Sequence, residues 1–145
     1  MLLFSMPSYV AAKNYYAAIA NVSASKSPLG AGYSLLVTIK SSDENCNHYV
    51  NWWEAVSEDG ELLYRRIFGH PHSKEQPFSR GRFVESIGYE TIFYIRAHMH
   101  PTGYSNMGMK GSIKTGFREE ELPSRFAKHL ANEGRMPANC NASLD

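Results

Sequence analysis

The stretch HYVNWWEAVSEDGELLYRRIFG, His48 to Gly69, reads as an antiparallel hairpin, and the rest of the fold follows from it. Two short runs rich in aromatic and β-branched residues flank Asp59-Gly60, the strongest short hairpin signal. Leu62 to Phe68 is therefore the partner of the strand that carries Trp52 and Trp53. Neighbouring residues of a strand face opposite sides. One of the two tryptophans must anchor the core, and the other lies outward or under a loop, where Tyr and Arg neighbours would make a sugar or peptide platform. The same rule separates Arg65 from Arg66: one of them lies on or near the core side and needs a carboxylate or carbonyl partner. Glu54, across the hairpin, is the candidate.

Working outward, YYAAIANVSAS (15–25) and GYSLLVTIKSS (32–42) read as strands separated by the turn residues of KSPLGAG. ETIFYIRAHMH (90–100) supplies a long strand and MKGSIKTGF (109–117) a short one. The period then changes. In EELPSRFAKHLANEG, Leu122, Phe126 and Leu130 recur every fourth residue, Pro123 suits a first helical turn and Gly134 a stop. The expectation is an all-β, immunoglobulin- or fibronectin-like sandwich of about seven strands with one C-terminal helix near residues 123–133. Residues 13–145 form a single domain. Residues 1–12, apolar and interrupted by Pro7, read as a loose terminus or signal remnant, without the basic start of a signal peptide.

The chain has 145 residues, 43% hydrophobic and 12% aromatic, a length suited to one domain. Fifteen Lys and Arg against fourteen Asp and Glu leave a formal charge of +1. The basic residues are scattered, so nothing marks a nucleic-acid partner. No run reaches the roughly 18 apolar residues of a transmembrane helix. Cys46 and Cys140 both lie in polar segments outside any Cys-x-x-Cys pair. Such settings suggest a disulfide that staples the tail to the body, worth roughly 4–5 kcal/mol in the chain-entropy model.

Histidine offers the main chemical signal. On the strand of IFYIRAHMH, Phe93, Ile95, Ala97 and Met99 share the core face, whereas Arg96, His98 and His100 point the other way. A second His-x-His pair, His70 and His72, follows the hairpin. On neighbouring strands, His70, His72, His98 and His100 would form an imidazole site for copper or zinc, with Met107 or Met109 as soft accessories. The alternative is histidine at exposed strand ends. No nucleophile elbow, P-loop, His-Glu-x-x-His or dinucleotide fingerprint occurs, and no nucleophile–base pair for a hydrolase can be named.

Several motifs in combination resemble a group of small bacterial proteins, usually exported or lipid-anchored. They are Cys-x-x-Tyr-x-x-Trp-Trp-Glu from Cys46 to Glu54, Tyr-Arg-Arg-Ile from Tyr64, His-x-His-x-x-Glu-Gln-Pro-Phe from His70 to Phe78, and Arg-Ala-His-Met from Arg96 followed by Thr-Gly-Tyr at Thr102. The resemblance covers roughly residues 30 to 140. It implies an exported protein (periplasmic, extracellular or surface-anchored) and strengthens the Cys46–Cys140 pairing, but implies no mechanism. His100 is less characteristic of the group, which favours His70, His72 and His98 as the metal set. The resulting expectation is a non-enzymatic, exported or cell-surface binding module for a small ligand or cell-surface component. Its site would be formed by His70, His72, Glu75, Arg80, Arg96, His98 and Tyr104. A copper- or zinc-binding protein is the alternative.

Overall fold

The computed structural model describes residues 4–5, 14–28 and 30–145, so most of the expected N-terminal segment 1–12 lies outside the described residues. Two antiparallel sheets pack face to face. The smaller holds β1 (Ala17–Lys26), β2 (Tyr33–Ser41) and β5 (Phe78–Val84), in the order β1-β2-β5. The larger runs β4 (Leu62–Ile67), β3 (Tyr49–Ser57), β6 (Phe93–His100), β8 (Met107–Ser112) and β9 (Gly116–Glu121), with the two-residue β7 (Gly103–Tyr104) paired to β6. The core between them joins Val37, Ile39 and Phe78 of one sheet to Trp53, Ala55, Phe93, Ile95 and Ala97 of the other, all fully buried.

The hairpin at Asp59-Gly60 forms as its sequence requires. The Gly60 N–H donates to the Ser57 carbonyl, Ser57 N–H to Glu61, and Gly60 takes a φ of 87°, open to glycine at little cost. Arg65 lies opposite Glu54 and Arg66 opposite Trp53. Two strands are not evident from patterning alone. β5 carries Arg80 and Arg82 around Gly81, which masks its alternation; a Cβ at Gly81 would lie 2.8 Å from the Leu35 carbonyl oxygen, so glycine is what lets β5 approach β2. MKGSIKTGF, expected as one strand, turns at Lys114–Thr115 and contributes to both β8 and β9.

A register shift between Val50 and Trp52, against Met99 and His98 of β6, makes Asn51 an extra residue in β3. Such a bulge reverses the facing of everything after it. Val50, Trp53 and Ala55 consequently share the core between the two sheets, while Val56 lies with Ala127 and Leu130 in a second cluster on the sheet's other side. The larger sheet is thus covered on both faces. Its alternation is clean on β6: Phe93, Ile95, Ala97 and Met99 enter the core. Arg96 lies on the opposite face, yet it too is buried, at 1% exposure.

What buries Arg96 is the C-terminal strap, residues 122–140, and here the expected helix is corrected. Residues 124–127 form a turn and Lys128–Asn132 a short 3-10 helix; no α-helix occurs among the described residues. The apolar positions are the expected ones, with Leu130 buried and Phe126 partly so. The backbone differs because Arg125 and Ala127 are left-handed, which a right-handed helix does not accommodate. The carbonyls of Phe126, Ala127, Leu130 and Glu133 accept from arginine side chains, and those of Ala127 and Leu130 also accept the N–H groups of Leu130 and Glu133, three residues on. The strap ends in the Cys46–Cys140 disulfide, Cα to Cα 5.8 Å, as expected.

The bridge closes a loop with a sequence separation of 94. Replacing both cysteines by alanine should lower stability by about 2–5 kcal/mol. In urea titration this appears as a lower midpoint; an unchanged midpoint would show that the bridge does not constrain the unfolded chain.

Candidate functional site

On the strap-covered face, three charged side chains form a row across β4, β3 and β6. Glu54 is directly opposite Arg65 on one side and Arg96 on the other, and all three side chains are at most 1% exposed. Each arginine takes its own carboxylate oxygen. Arg65 donates to Oε2 from Nε at 2.9 Å and from Nη2 at 2.7 Å. Arg96 donates to Oε1 from Nε at 2.9 Å, with Nη2 at 2.8 Å from the same oxygen. One buried anion against two cations leaves an excess positive charge, and carbonyl dipoles of the strap offset it. Arg65 donates to the carbonyls of Leu130, Glu133 and Arg135; Arg96 donates to those of Phe126 and Ala127. Arg125 and Ala127 adopt left-handed φ values of 60° and 46°, a conformation that costs non-glycine residues about 1–3 kcal/mol each. They flank Phe126, and the reversals turn two successive carbonyls onto Arg96.

Aromatic rings complete this face. The Arg65 guanidinium lies 4.2 Å above Trp52, and the imidazole of His98, directly across on β6, stacks on Trp52 at 3.8 Å. Tyr104 packs edge-on against both rings, and the Arg96 guanidinium lies 3.5 Å over the tyrosine. His98 Nδ1 pairs with Asn51 Oδ1 at 2.7 Å, so the bulge residue orients the imidazole. Burial, then the positive charge of Arg65 and Arg96, push His98 down to about 4. Burial, then Glu54, raise the Tyr104 phenol. Its buried hydroxyl makes no hydrogen bond of normal geometry with the described residues.

Beside these groups opens a pocket of about 470 Å³. Arg96, His98 and Tyr104 form its sheet wall, and Leu122, Ser124, Arg125, Phe126 and Lys128 its strap wall. The volume suits a small molecule.

The other expected site residues lie elsewhere, around the start of β5. β4 ends at Ile67, so His70 and His72 are past the strand and its alternation does not place them. His72 turns inward, stacked on Phe78 at 4.1 Å, and its backbone N–H donates to the buried Asp43. Burial, then His70 and Arg80, push its imidazole down to about 4. The His70 and His72 rings are 4.4 Å apart. Glu75 and Arg80 form a partly exposed ion pair with each other. His98 stacks on Trp52, and the exposed His100 packs against Tyr49. The four histidines therefore do not converge, and among the described residues no group of three His, Cys, Asp or Glu side chains could hold a metal ion. Of the seven expected ligand-binding residues, Arg96, His98 and Tyr104 share the pocket. The strap residues that complete it were read as a helix, and nothing in their spacing signals a pocket wall. Asn51 was missed because a bulge has no side-chain signature in this strand.

Comparison with known proteins is limited to one stretch. The chain is 29% identical over 87 residues to a protein of Halomicrobium mukohataei named "Putative lipoprotein". The matched stretch is 60% of this chain and spans 43% of that protein's length. No family model and no solved structure matches.

Two outcomes follow from this chemistry. Glu54→Ala leaves two buried guanidinium groups without their carboxylate and should cost about 3–5 kcal/mol, measured by urea unfolding. A loss below about 1 kcal/mol would mean that the strap carbonyls alone hold the arginines. The pH effect has a definite sign. His72 is depressed from its ordinary 6.5 to about 4 in the folded chain, so the unfolded chain binds the extra proton first as pH falls. Its contribution is complete above pH 6.5 and is lost on the way down to 4. In His72→Phe, which keeps a ring against Phe78, the drop in stability between those two pH values should be smaller than in the parent; an identical drop would refute the assignment.

Proposed function

We propose that the protein is a non-enzymatic, exported or cell-surface binding module, and that its ligand occupies the pocket between β6 and the C-terminal strap. The observation that carries this reading is the construction of that pocket. A fully buried, hydrogen-bonded arginine, an oriented imidazole and a half-buried phenol meet a strap held in left-handed backbone at two non-glycine positions. Strain of this kind persists only where surrounding contacts hold it, and it clusters at binding sites. The wall groups suit holding rather than proton transfer. Near neutral pH His98 stays uncharged, the Tyr104 phenol is raised, and Arg96 is tied to Glu54.

Export is supported by the long-range disulfide, which persists in oxidising compartments, and by the lipoprotein designation of the relative. No helix among the described residues is long and apolar enough to cross a membrane. An immunoglobulin- or fibronectin-like sandwich is supported by the strand order, β1-β2-β5 facing β4-β3-β6-β8. Relative to a seven-strand constant-type sandwich, the fourth strand has moved to the edge of the opposite sheet.

A fragment library of mixed charge, screened by amide chemical-shift perturbation, tests the site. Hits should move Gly103, Tyr104, Ser124 and Lys128 together and be lost in Ser124→Trp, which fills the pocket mouth. Hits gathered instead on the shallow concavity around Leu36, Gly81 and Phe83 of the smaller sheet would place binding elsewhere.

A further inference from the structure

We infer that this pocket takes a small organic oxyanion, a carboxylate or a phosphomonoester, joined to an apolar body; the inference rests on the pocket being the binding site. Three features carry it. Arg96 has five guanidinium N–H groups. Its Nε donates to Glu54, Nη1 to the Phe126 carbonyl and Nη2 to the Ala127 carbonyl, with Nη2 also 2.8 Å from Glu54 Oε1. Among the described residues Nη1 makes that one hydrogen bond for its two hydrogens, in a side chain that is 1% exposed and forms part of the pocket wall. A buried donor without a partner costs free energy, and a ligand oxygen would supply the missing acceptor.

The second feature is charge. The Arg65–Glu54–Arg96 row carries one positive charge more than its carboxylate cancels, and its Arg96 end forms part of the pocket wall. At the mouth, Arg125 and Lys128 are exposed, and neither enters an ion pair with a described residue. One carboxylate, Glu121, shares the lining and opposes an anion, but three cations line the same space. An oxyanion between a guanidinium N–H and two exposed cations gains charge-assisted hydrogen bonds. The third feature is the remaining wall. Leu122, Pro123 and Phe126 offer an apolar surface beside the cations, which favours a ligand body over a bare inorganic ion.

Four probes of one shape separate the possibilities: benzoate, phenyl phosphate, benzamide and benzylamine, each titrated into the full chain while amide shifts of Gly103, Tyr104, Ser124 and Lys128 are followed. One or both anions should bind, weaken as salt is raised, and lose about tenfold in affinity in Arg125→Gln/Lys128→Gln, equivalent to one charge-assisted hydrogen bond. Binding of benzoate alone identifies the carboxylate, and of phenyl phosphate alone the phosphomonoester; either supports the inference. Both substituted positions are exposed, so an unchanged melting temperature confirms that the fold survives. Equal binding of benzamide or benzylamine at these amides overturns the anion assignment while leaving the pocket as the site. Anion binding unaffected by the double variant also overturns it. Silence of all four probes overturns it as well, and the mixed-charge fragment screen then judges the pocket independently.

Discussion

Two arginines buried against one glutamate set the terms for the rest of this protein. Removing a guanidinium from water is costly unless nearly every N–H finds an acceptor. Glu54 serves both, one oxygen each, because β3 lies between β4 and β6 and places it opposite Arg65 and Arg96. That satisfies only part of the demand. The remaining acceptors come from the backbone of a segment about thirty to seventy residues away in sequence. The strap is therefore a polar lid as much as an apolar one. Leu130 and Ala127 bury against Val56, and their neighbouring carbonyls complete the coordination of the arginines.

This arrangement links fold to site. Left-handed backbone at Arg125 and Ala127 breaks any α-helix there while the carbonyls of Phe126 and Ala127 meet Arg96, and the resulting turn walls the pocket beside His98 and Tyr104. The disulfide anchors the far end of the strap beside the loop that precedes β3. Stability, the shape of the pocket and its positive character thus have a common origin in the Arg65–Glu54–Arg96 row. A buried ion-pair network is weak evidence for stability in itself, since a hydrophobic set of similar volume is often as stable. Here it also fixes the path of the strap.

The smaller sheet has a different character. Its inner residues, Leu35, Val37 and Ile39, belong to the apolar core, while its outer surface carries Ser34, Thr38 and Ser79 around Leu36 and Phe83. Near the start of β5, His72 stacks on Phe78 and Asp43 accepts from Ser41, Val50 and His72. That cluster ties the two sheets together at one end. It explains why His70, His72, Glu75 and Arg80, grouped by motif with Arg96 and His98, serve packing and local ion pairing rather than one shared site.

The sequence alone determined whatever depends on nearest neighbours and strict alternation. The Asp59-Gly60 hairpin, the pairing of Glu54 with Arg65, the core face of Phe93, Ile95 and Ala97 and the union of Cys46 with Cys140 were all legible, because each is set by turn chemistry, side-chain period or the lack of another thiol. The tertiary structure decided the rest. The bulge at Asn51, the inward turn of His72 beyond the end of β4, and the unwinding of the strap each depend on acceptors and packing partners distant in the chain. Period-four apolar spacing records which strap residues face the protein, but it carries no information about whether the backbone continues as a helix or reverses to bring its carbonyls onto arginines. That choice belongs to the sheet beneath, and with it comes the pocket.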